Sequence, residues 1–312
     1  MKFIFAVLLF VAYVAAHGFV HQIIIDGKAY LGNAPAATQG SPSVIRQIST
    51  IDPVKGSSNS NLNCGQNAQP AALIADAQPG STVAVDWRGN DLIHWFHNTG
   101  PIMTYMASCG DVTCDKFNPM QAKWFLIDEQ GRYPNGTWAQ ASLNQGAMAT
   151  VKIPSNLKAG NYMFRQELIA LQLGVSVGGA EFYPSCSQLR VGGSQAGQPQ
   201  QSDLVSLPGA YSDTAPGIYD PNVYDPGSKY TFPGPPLASF IAGGSTGGSS
   251  TGGSSTPTST SAPPASTSSC KLRGGGKNAT AYSNTRRALQ YHRHLYKPRT
   301  ISRIMRNVVT SQ

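Results

Sequence analysis

The sequence predicts an all-β sandwich in residues 17–238, because short apolar runs recur there and turn-forming residues separate them. The runs are four to six residues long, which suits strands, and the intervening Gly, Pro, Asn and Asp are typical of turns. The predicted strands include residues 20–25, 82–87, 102–106, 124–127, 148–153 and 188–191. The spacing leaves room for a small helical excursion, and the sequence contains no internal repeat.

Composition divides the rest of the chain into three segments. Residues 1–16 are predicted to be a signal peptide, residues 239–269 a linker rich in Gly, Ser, Thr and Pro, and residues 270–312 a disordered basic tail. The tail contains ten Lys or Arg and no acidic residue, so it accounts for the formal net charge of +8. Residues 17–269 hold 12 basic and 15 acidic side chains, which argues against a nucleic-acid-binding domain.

The first 16 residues have the pattern of a secretory signal. Lys2 supplies the positive charge, residues 3–14 are apolar but too short to span a bilayer, and Ala16 is small enough for cleavage. Cleavage after Ala16 would make His17 the first residue of a secreted, extracellular protein without a transmembrane span. Cleavage one or two residues away would instead leave His17 as an ordinary surface histidine.

A histidine at a free N-terminus can hold a metal ion through its α-amino nitrogen and its ring Nδ1. Three nitrogens in a flat arrangement favour Cu(II) over zinc, so a second histidine is needed. His97 is a candidate because it opens the turn His-Asn-Thr-Gly-Pro before the strand at 102–106. His94 lies three residues earlier, and spacing alone does not reject it.

Five segments follow the order and spacing of one known family. They are His-Gly-Phe-Val at 17–20, Ile-Asp-Gly at 25–27, His-Asn-Thr-Gly-Pro-Ile-Met-Thr-Tyr at 97–105, Glu-Leu-Ile-Ala-Leu at 167–171 and Gly-Gly-Ala-Glu-Phe-Tyr-Pro-Ser-Cys at 178–186. Together they resemble a lytic polysaccharide monooxygenase of auxiliary activity family 9, once classed as glycoside hydrolase family 61. The resemblance covers residues 17–238.

The resemblance implies an immunoglobulin- or fibronectin-III-like β-sandwich with long loops and a flat face that carries one exposed copper ion. It implies that His17 and His97 bind the copper and that Tyr183 fills the axial position. The expected co-substrates are an external electron donor and O2 or H2O2. The expected activity is oxidative cleavage of cellulose or a related β-1,4-glucan at C1, C4 or both, by a monomer.

Three positions depart from the family's pattern. Gln172 replaces an expected histidine and Glu181 an expected glutamine, so a titratable donor has become an amide and a neutral amide has become a carboxylate. Gln166 also stands where a histidine is expected. By the resemblance, Arg165, Gln172 and Glu181 order the distal side of the copper, where a carboxylate can accept or deliver a proton. The alternative is that Glu181 points to solvent.

Two other functions fit parts of the sequence. The residues at 172 and 181 favour a secreted copper-binding protein that keeps the histidine pair but has little or no monooxygenase activity. Glycoside hydrolysis by paired carboxylates ranks last, because residues 17–238 contain only three glutamates and most of the aspartates lie in turn-like contexts. Oxidised sugars, plain reducing sugars or no product would distinguish the oxidase, the hydrolase and the binding protein.

The five cysteines agree with an oxidising environment. Cys109 and Cys114 are close enough in sequence to close a local loop, and Cys64 and Cys186 would then pair over a long one. The resemblance implies the same pairs, although the sequence alone permits others. Cys270 is left over.

Surface residues give weaker signals. Aromatic rings stack on sugar faces, so tyrosines in Pro- and Gly-rich stretches are candidates for substrate contact, although each can equally be a plain surface residue. These are Tyr30, Tyr211, Tyr219 and Tyr224. Asn135 and Asn278 open Asn-x-Thr acceptor sequences for N-glycosylation.

Overall fold

The computed structural model describes residues 17–241. These residues form two β-sheets with little helix, which confirms the predicted β-sandwich. The signal peptide, most of the linker, Cys270, Asn278 and the basic tail lie outside the described residues. Within residues 17–241, no helix has the length and apolar character needed to cross a membrane.

Nine strands and one short α-helix make up the sandwich. The strands are β1 (Gly18–Ile25), β2 (Lys28–Leu31), β3 (Ala75–Ala77), β4 (Thr82–Gly89), β5 (Ile102–Ser108), β6 (Trp124–Gln130), β7 (Ala149–Lys152), β8 (Gly160–Ala170) and β9 (Glu181–Val191). The helix is α1 (Gln140–Asn144), and single 3-10 turns span Ser60–Leu62, Pro119–Gln121, Gln201–Asp203 and Ser239–Ile241. One sheet has the order β2-β1-β4-β7 and the other β3-β9-β8-β5-β6, and only the β3–β9 pair is parallel.

Each predicted strand overlaps an observed one, but β2, β3 and β8 were not predicted. Strand β8 is the central strand of its sheet and pairs with β5 on one edge and β9 on the other. Residues 162–170 of this strand are all buried. The alternation of buried and exposed positions, on which strand prediction depends, is therefore missing from β8.

Apolar cores lie on both faces of the five-stranded sheet. Between the sheets, Ile23 of β1 packs in one cluster with Phe164 and Leu168 of β8. On the opposite face, loops cover the sheet and place residues such as Leu62 in a second cluster with Tyr105 of β5. Long loops therefore form part of the hydrophobic core.

Two disulfides fix these loops, and both pairs are the predicted ones. Cys64 is bonded to Cys186, which ties the loop after β2 to the middle of β9. Cys109 is bonded to Cys114 and closes the short loop after β5.

The turns that belong to the sequence motifs lie together at one end of the sandwich. Strand β8 ends where β9 begins, since Ala170 pairs with Glu181, and the turn before β5 carries His97 to the same end. In that turn Gly100 has a φ of +136°, and a Cβ atom there would lie 2.0 Å from the carbonyl oxygen of Ile169. Only glycine permits this approach, so the turn is held against the end of β8.

Candidate metal centre

Two imidazoles flank one phenol at this end of the sandwich. The ring centroid of Tyr183 lies 6.2 Å from that of His17 and 5.8 Å from that of His97. The Nε2 atom of His97 is 3.3 Å from the Tyr183 hydroxyl. The structure thus brings together the three residues for which copper ligation was predicted.

Trp95 supports this group, and sequence reasoning missed it. Its buried indole packs edge-on against His97 and Tyr183, with ring centroids 5.2 Å and 4.8 Å away. Its Nε1 donates to Gln140 Oε1 at 3.1 Å, and Gln140 Nε2 donates to the carbonyls of Pro101 and Ile169. A buried amide on α1 therefore fixes both the tryptophan and the turn.

His94, the other candidate ligand, lies outside the centre. Its side chain is exposed and its ring lies against Gly146. His97 is part-buried and carries the contact with Tyr183. The structure therefore favours His97.

The carboxylate of Glu181 lies beside the histidines rather than in solvent. The residue is 7% exposed, and its Oε2 accepts hydrogen bonds from Gln172 Nε2 at 2.7 Å and the Tyr183 hydroxyl at 3.1 Å. The same oxygen is 3.6 Å from His97 Nε2. Its Oε1 lies 3.1 Å from Lys55 Nζ, a partner that no sequence motif indicated.

These contacts decide the charges of the centre. Burial raises the pKa of Glu181, but the hydrogen bonds and positive charge of Lys55, with those from Gln172 and Tyr183, bring that pKa below its usual value. Burial, together with the nearby charge of Glu181, raises the pKa of Tyr183. Tyr183 is therefore a neutral phenol that donates to an ionised carboxylate.

Gln172 links the centre to the surface. Its Oε1 is a buried acceptor without a hydrogen-bond partner among the described residues, while its Nε2 is used by Glu181. Its backbone carbonyl accepts a hydrogen bond of 2.7 Å from the hydroxyl of Tyr224, whose side chain is exposed. Tyr224 is thus the predicted substrate-contact tyrosine that the structure places next to the centre.

The donor set fits copper. His17 and His97 offer two imidazoles, and cleavage before His17 would add an amine nitrogen. Among residues 17–241 no three or more His, Cys, Asp or Glu side chains are grouped to hold a metal, so the third nitrogen has to come from the amine of His17. The Nδ1 atom of His17 is 3.2 Å from Asp52 Oδ1, and the side chain of Asp52 is 63% exposed, so it can move aside when a metal binds.

Two predicted site residues lie elsewhere, and both predictions are corrected. Arg165 is fully buried and bonded to both carboxylate oxygens of Glu167. Because Leu168 is the residue of β8 that faces Tyr183, Arg165, three positions earlier, points to the opposite side of the sheet. Tyr211 is buried there too and donates to Glu167 at 2.8 Å, so it cannot stack on a sugar.

Other predicted residues have ordinary surroundings. Gln166 accepts a hydrogen bond from the indole of Trp87 at 2.9 Å in the core. Tyr30 is half-buried, with the ammonium of Lys28 5.0 Å from its ring centroid, and Tyr219 is half-buried in a loop. Asn135, the predicted N-glycosylation acceptor, is exposed.

Comparison with known proteins gives a consistent result. The family model described as Auxiliary Activity family 9, formerly GH61, matches residues 17–231. AA9 family lytic polysaccharide monooxygenase D of Gloeophyllum trabeum is 52% identical over 244 residues, which are 78% of this chain and 70% of that protein. AA9 family lytic polysaccharide monooxygenase B of Malbranchea cinnamomea is 37% identical over 244 residues, covering 74% of this chain and 96% of the relative.

Solved structures agree with the sequence relatives. The extended catalytic domain of H. jecorina LPMO9A has a TM-score of 0.66 and 30% identity, over 75% of this chain and 96% of that one. HiLPMO9B has a TM-score of 0.63 and 34% identity, and the match covers 71% of this chain and 99% of that one. A cellulose-active polysaccharide monooxygenase from M. thermophila has a TM-score of 0.63 and 33% identity, and the match covers 71% of this chain and 98% of that one. These matches confirm the resemblance found in the sequence motifs.

Proposed function

Since the chain belongs to auxiliary activity family 9 and is thus a copper-dependent lytic polysaccharide monooxygenase, we propose that it oxidises cellulose-type β-1,4-glucan at C1, C4 or both. The observation that carries the proposal is the grouping of His17, His97 and Tyr183 at one end of the sandwich. The cellulose-active relative from M. thermophila supports the choice of substrate.

The proposed copper ligands are the α-amino nitrogen and Nδ1 of His17 together with Nε2 of His97. Tyr183 would lie beside the bound copper, since its ring is next to both histidines. Bound copper supplies one-electron exchange with an external donor and activation of O2 or H2O2. Trp95 holds the rings of His97 and Tyr183 in place through its edge-on contacts.

The neighbouring polar groups orient one another through hydrogen bonds. Glu181 Oε2 accepts one hydrogen bond from the hydroxyl of Tyr183 and one from the side-chain amide of Gln172. These bonds leave Gln172 Oε1 as a buried acceptor that can take a hydrogen bond from water or a peroxide hydroxyl entering the centre. Arg165 has no part in this group, because its guanidinium hydrogen-bonds to Glu167 and to the carbonyls of Leu62 and Asn63 instead.

The sugar chain is proposed to lie across the exposed surface around Tyr224. The ring of this residue is 58% exposed, and its hydroxyl is fixed by Gln172. Tyr30 and Tyr219 remain weaker candidates for substrate contact.

The proposal includes secretion and removal of residues 1–16, because only cleavage before His17 frees the amine. The exposed acceptor Asn135 and the acceptor Asn278 are proposed glycosylation sites. The active form is proposed to be a monomer that receives electrons from a small molecule or a protein.

Mass spectrometry of products from phosphoric-acid-swollen cellulose tests the activity. The mature, copper-loaded chain with ascorbate should release aldonic acids or C4-oxidised oligosaccharides, and a His17→Ala variant should release none. Tight copper binding without oxidised products would instead support the alternative function, a copper-binding protein, which the carboxylate of Glu181 favours. Plain reducing sugars without reductant would indicate hydrolysis.

A further inference from the structure

The side chain of Lys55 reaches the metal centre, although no sequence motif marks it. Its Nζ lies 3.1 Å from Glu181 Oε1 and donates to the carbonyl oxygen of Gly179 at 3.2 Å. The side chain of Glu181 is 10% exposed and that of Lys55 46%. The ion pair is therefore open to solvent on the lysine side and closed on the side of the metal centre.

Backbone pairing fixes the position of Lys55. The preceding residue, Val54, donates to the carbonyl of Phe182 at 2.8 Å and accepts from its N–H at 3.1 Å. In an antiparallel register this bridge places Lys55 opposite Glu181 at the edge of β9. The contact thus follows from the path of the chain and not from a chance side-chain conformation.

The two oxygens of Glu181 have separate partners. Oε1 contacts Lys55, whereas Oε2 accepts hydrogen bonds from Gln172 and Tyr183 and lies 3.6 Å from His97 Nε2. Because Lys55 holds Oε1 on the outer side, Oε2 is directed toward the proposed metal ligands. The ammonium also compensates a buried negative charge that would otherwise face those ligands alone.

We infer that Lys55 is a positioning residue of the copper centre, which orients Glu181 and limits the effect of its negative charge on bound copper. The inference rests on the proposed function, because it concerns the same site. With the ammonium removed, the uncompensated carboxylate stabilises Cu(II) relative to Cu(I).

A double-substitution cycle tests this role. The Cu(II) and Cu(I) affinities of the mature full chain are each measured by competition with chromogenic chelators. Lys55→Met should raise the ratio of Cu(II) to Cu(I) affinity roughly tenfold, because the carboxylate of Glu181 beside the metal ligands loses its paired positive charge. Lys55→Arg should keep the wild-type ratio. In a Glu181→Gln background, Lys55→Met should change the ratio less than about threefold, because the ammonium is then no longer held beside the centre by the carboxylate and solvent screens its charge.

Two controls distinguish this effect from the loss of any positive charge and from misfolding of the variants. Lys152→Met removes one exposed positive charge on β7 and should leave the ratio unchanged. Thermal unfolding of the copper-free variants reports whether they fold, and Lys55→Gln replaces Lys55→Met if the latter does not.

The outcomes distinguish the inference from the function on which it rests. An unchanged ratio in Lys55→Met and Lys55→Gln, or an equal shift with and without Glu181, would overturn the positioning role while copper binding remains. Failure of the wild-type chain to bind copper would overturn the proposed function, and the inference with it.

Discussion

The Nε2 atom of His97 lies 3.6 Å from the carboxylate oxygen Oε2 of Glu181. A proposed metal ligand and a carboxylate therefore share one edge of the centre, and the hydroxyl of Tyr183 contacts both of them. In the proposed function His97 supplies a nitrogen to the metal, whereas Glu181, which contacts Gln172, Tyr183 and Lys55, adjusts the surroundings of that ligand.

Replacing His97 should strongly weaken copper binding and leave the fold intact. His97→Ala removes one of three nitrogen donors, so the Cu(II) affinity should fall by at least about 100-fold. His94→Ala, three residues away and exposed, is the matched control and should bind as the wild type does. Isothermal titration of both variants measures the difference, and equal losses would contradict the assignment of the ligand.

Replacing Gln140, which hydrogen-bonds to Trp95 next to the metal centre, should destabilise the domain. Gln140→Ala leaves the buried indole N–H of Trp95 without its partner and removes one hydrogen bond from each of the carbonyls of Pro101 and Ile169. The free energy of unfolding should fall by about 2–4 kcal/mol, whereas the exposed Gln145→Ala should change it by less than about 0.5 kcal/mol. Urea unfolding of the copper-free variants measures both, and a near-neutral Gln140→Ala would show that water replaces the lost bonds.

The side chain of Glu129 should make stability depend on pH. Burial, and then the charge of Asp128, raises the pKa of Glu129 from 4.5 to about 7. The folded state therefore binds more protons than the unfolded state between these values, and stability falls as pH rises from about 4.5 to 7. Glu129→Gln should remove this part of the slope and stabilise the domain at pH 8 by about 1–3 kcal/mol, allowing for solvent screening.

Chemical unfolding at pH 4 and pH 8 checks the prediction. At pH 4 the Glu129 carboxyl is mostly protonated in both states, so the free energies of unfolding of the variant and the wild type should differ far less than at pH 8. A stabilisation of equal size at both pH values would assign the effect to packing instead.

The sequence predicted which residues group at the proposed metal centre more completely than it predicted the residues that support them. His17, His97 and Tyr183 lie in segments whose order and spacing match the family, and their grouping needed no knowledge of loop paths. Lys55 and Trp95 were missed because their partners are far along the chain: Lys55 meets Glu181, and Trp95 meets Gln140. Such contacts depend on how loops cross the sheet, which a single sequence does not reveal.

The wrong prediction for Arg165 has a simpler cause. Arg165 is close in sequence to the motif at 167–171, but side chains alternate between the two faces of β8, and Arg165 falls on the face away from Tyr183. Since β8 is buried on both faces, its hydropathy does not show which side chains face the metal. The buried Glu167, which needs a positive partner, was the available signal for the true role of Arg165.

Replacing Tyr224 should weaken binding to the polymer without changing the metal centre. Tyr224→Ala removes an exposed ring next to Gln172, so binding to solid cellulose should weaken about three- to tenfold while the Cu(II) affinity stays at the wild-type value. Tyr224→Phe keeps the ring but loses the hydrogen bond to Gln172, and should bind cellulose nearly as the wild type does.

Tyr133→Ala, which removes a second exposed tyrosine, serves as the control. Pull-down isotherms on cellulose measure binding. Equal losses in Tyr224→Ala and Tyr133→Ala would indicate unspecific adsorption, whereas a loss confined to Tyr224→Ala would locate the sugar chain beside Gln172.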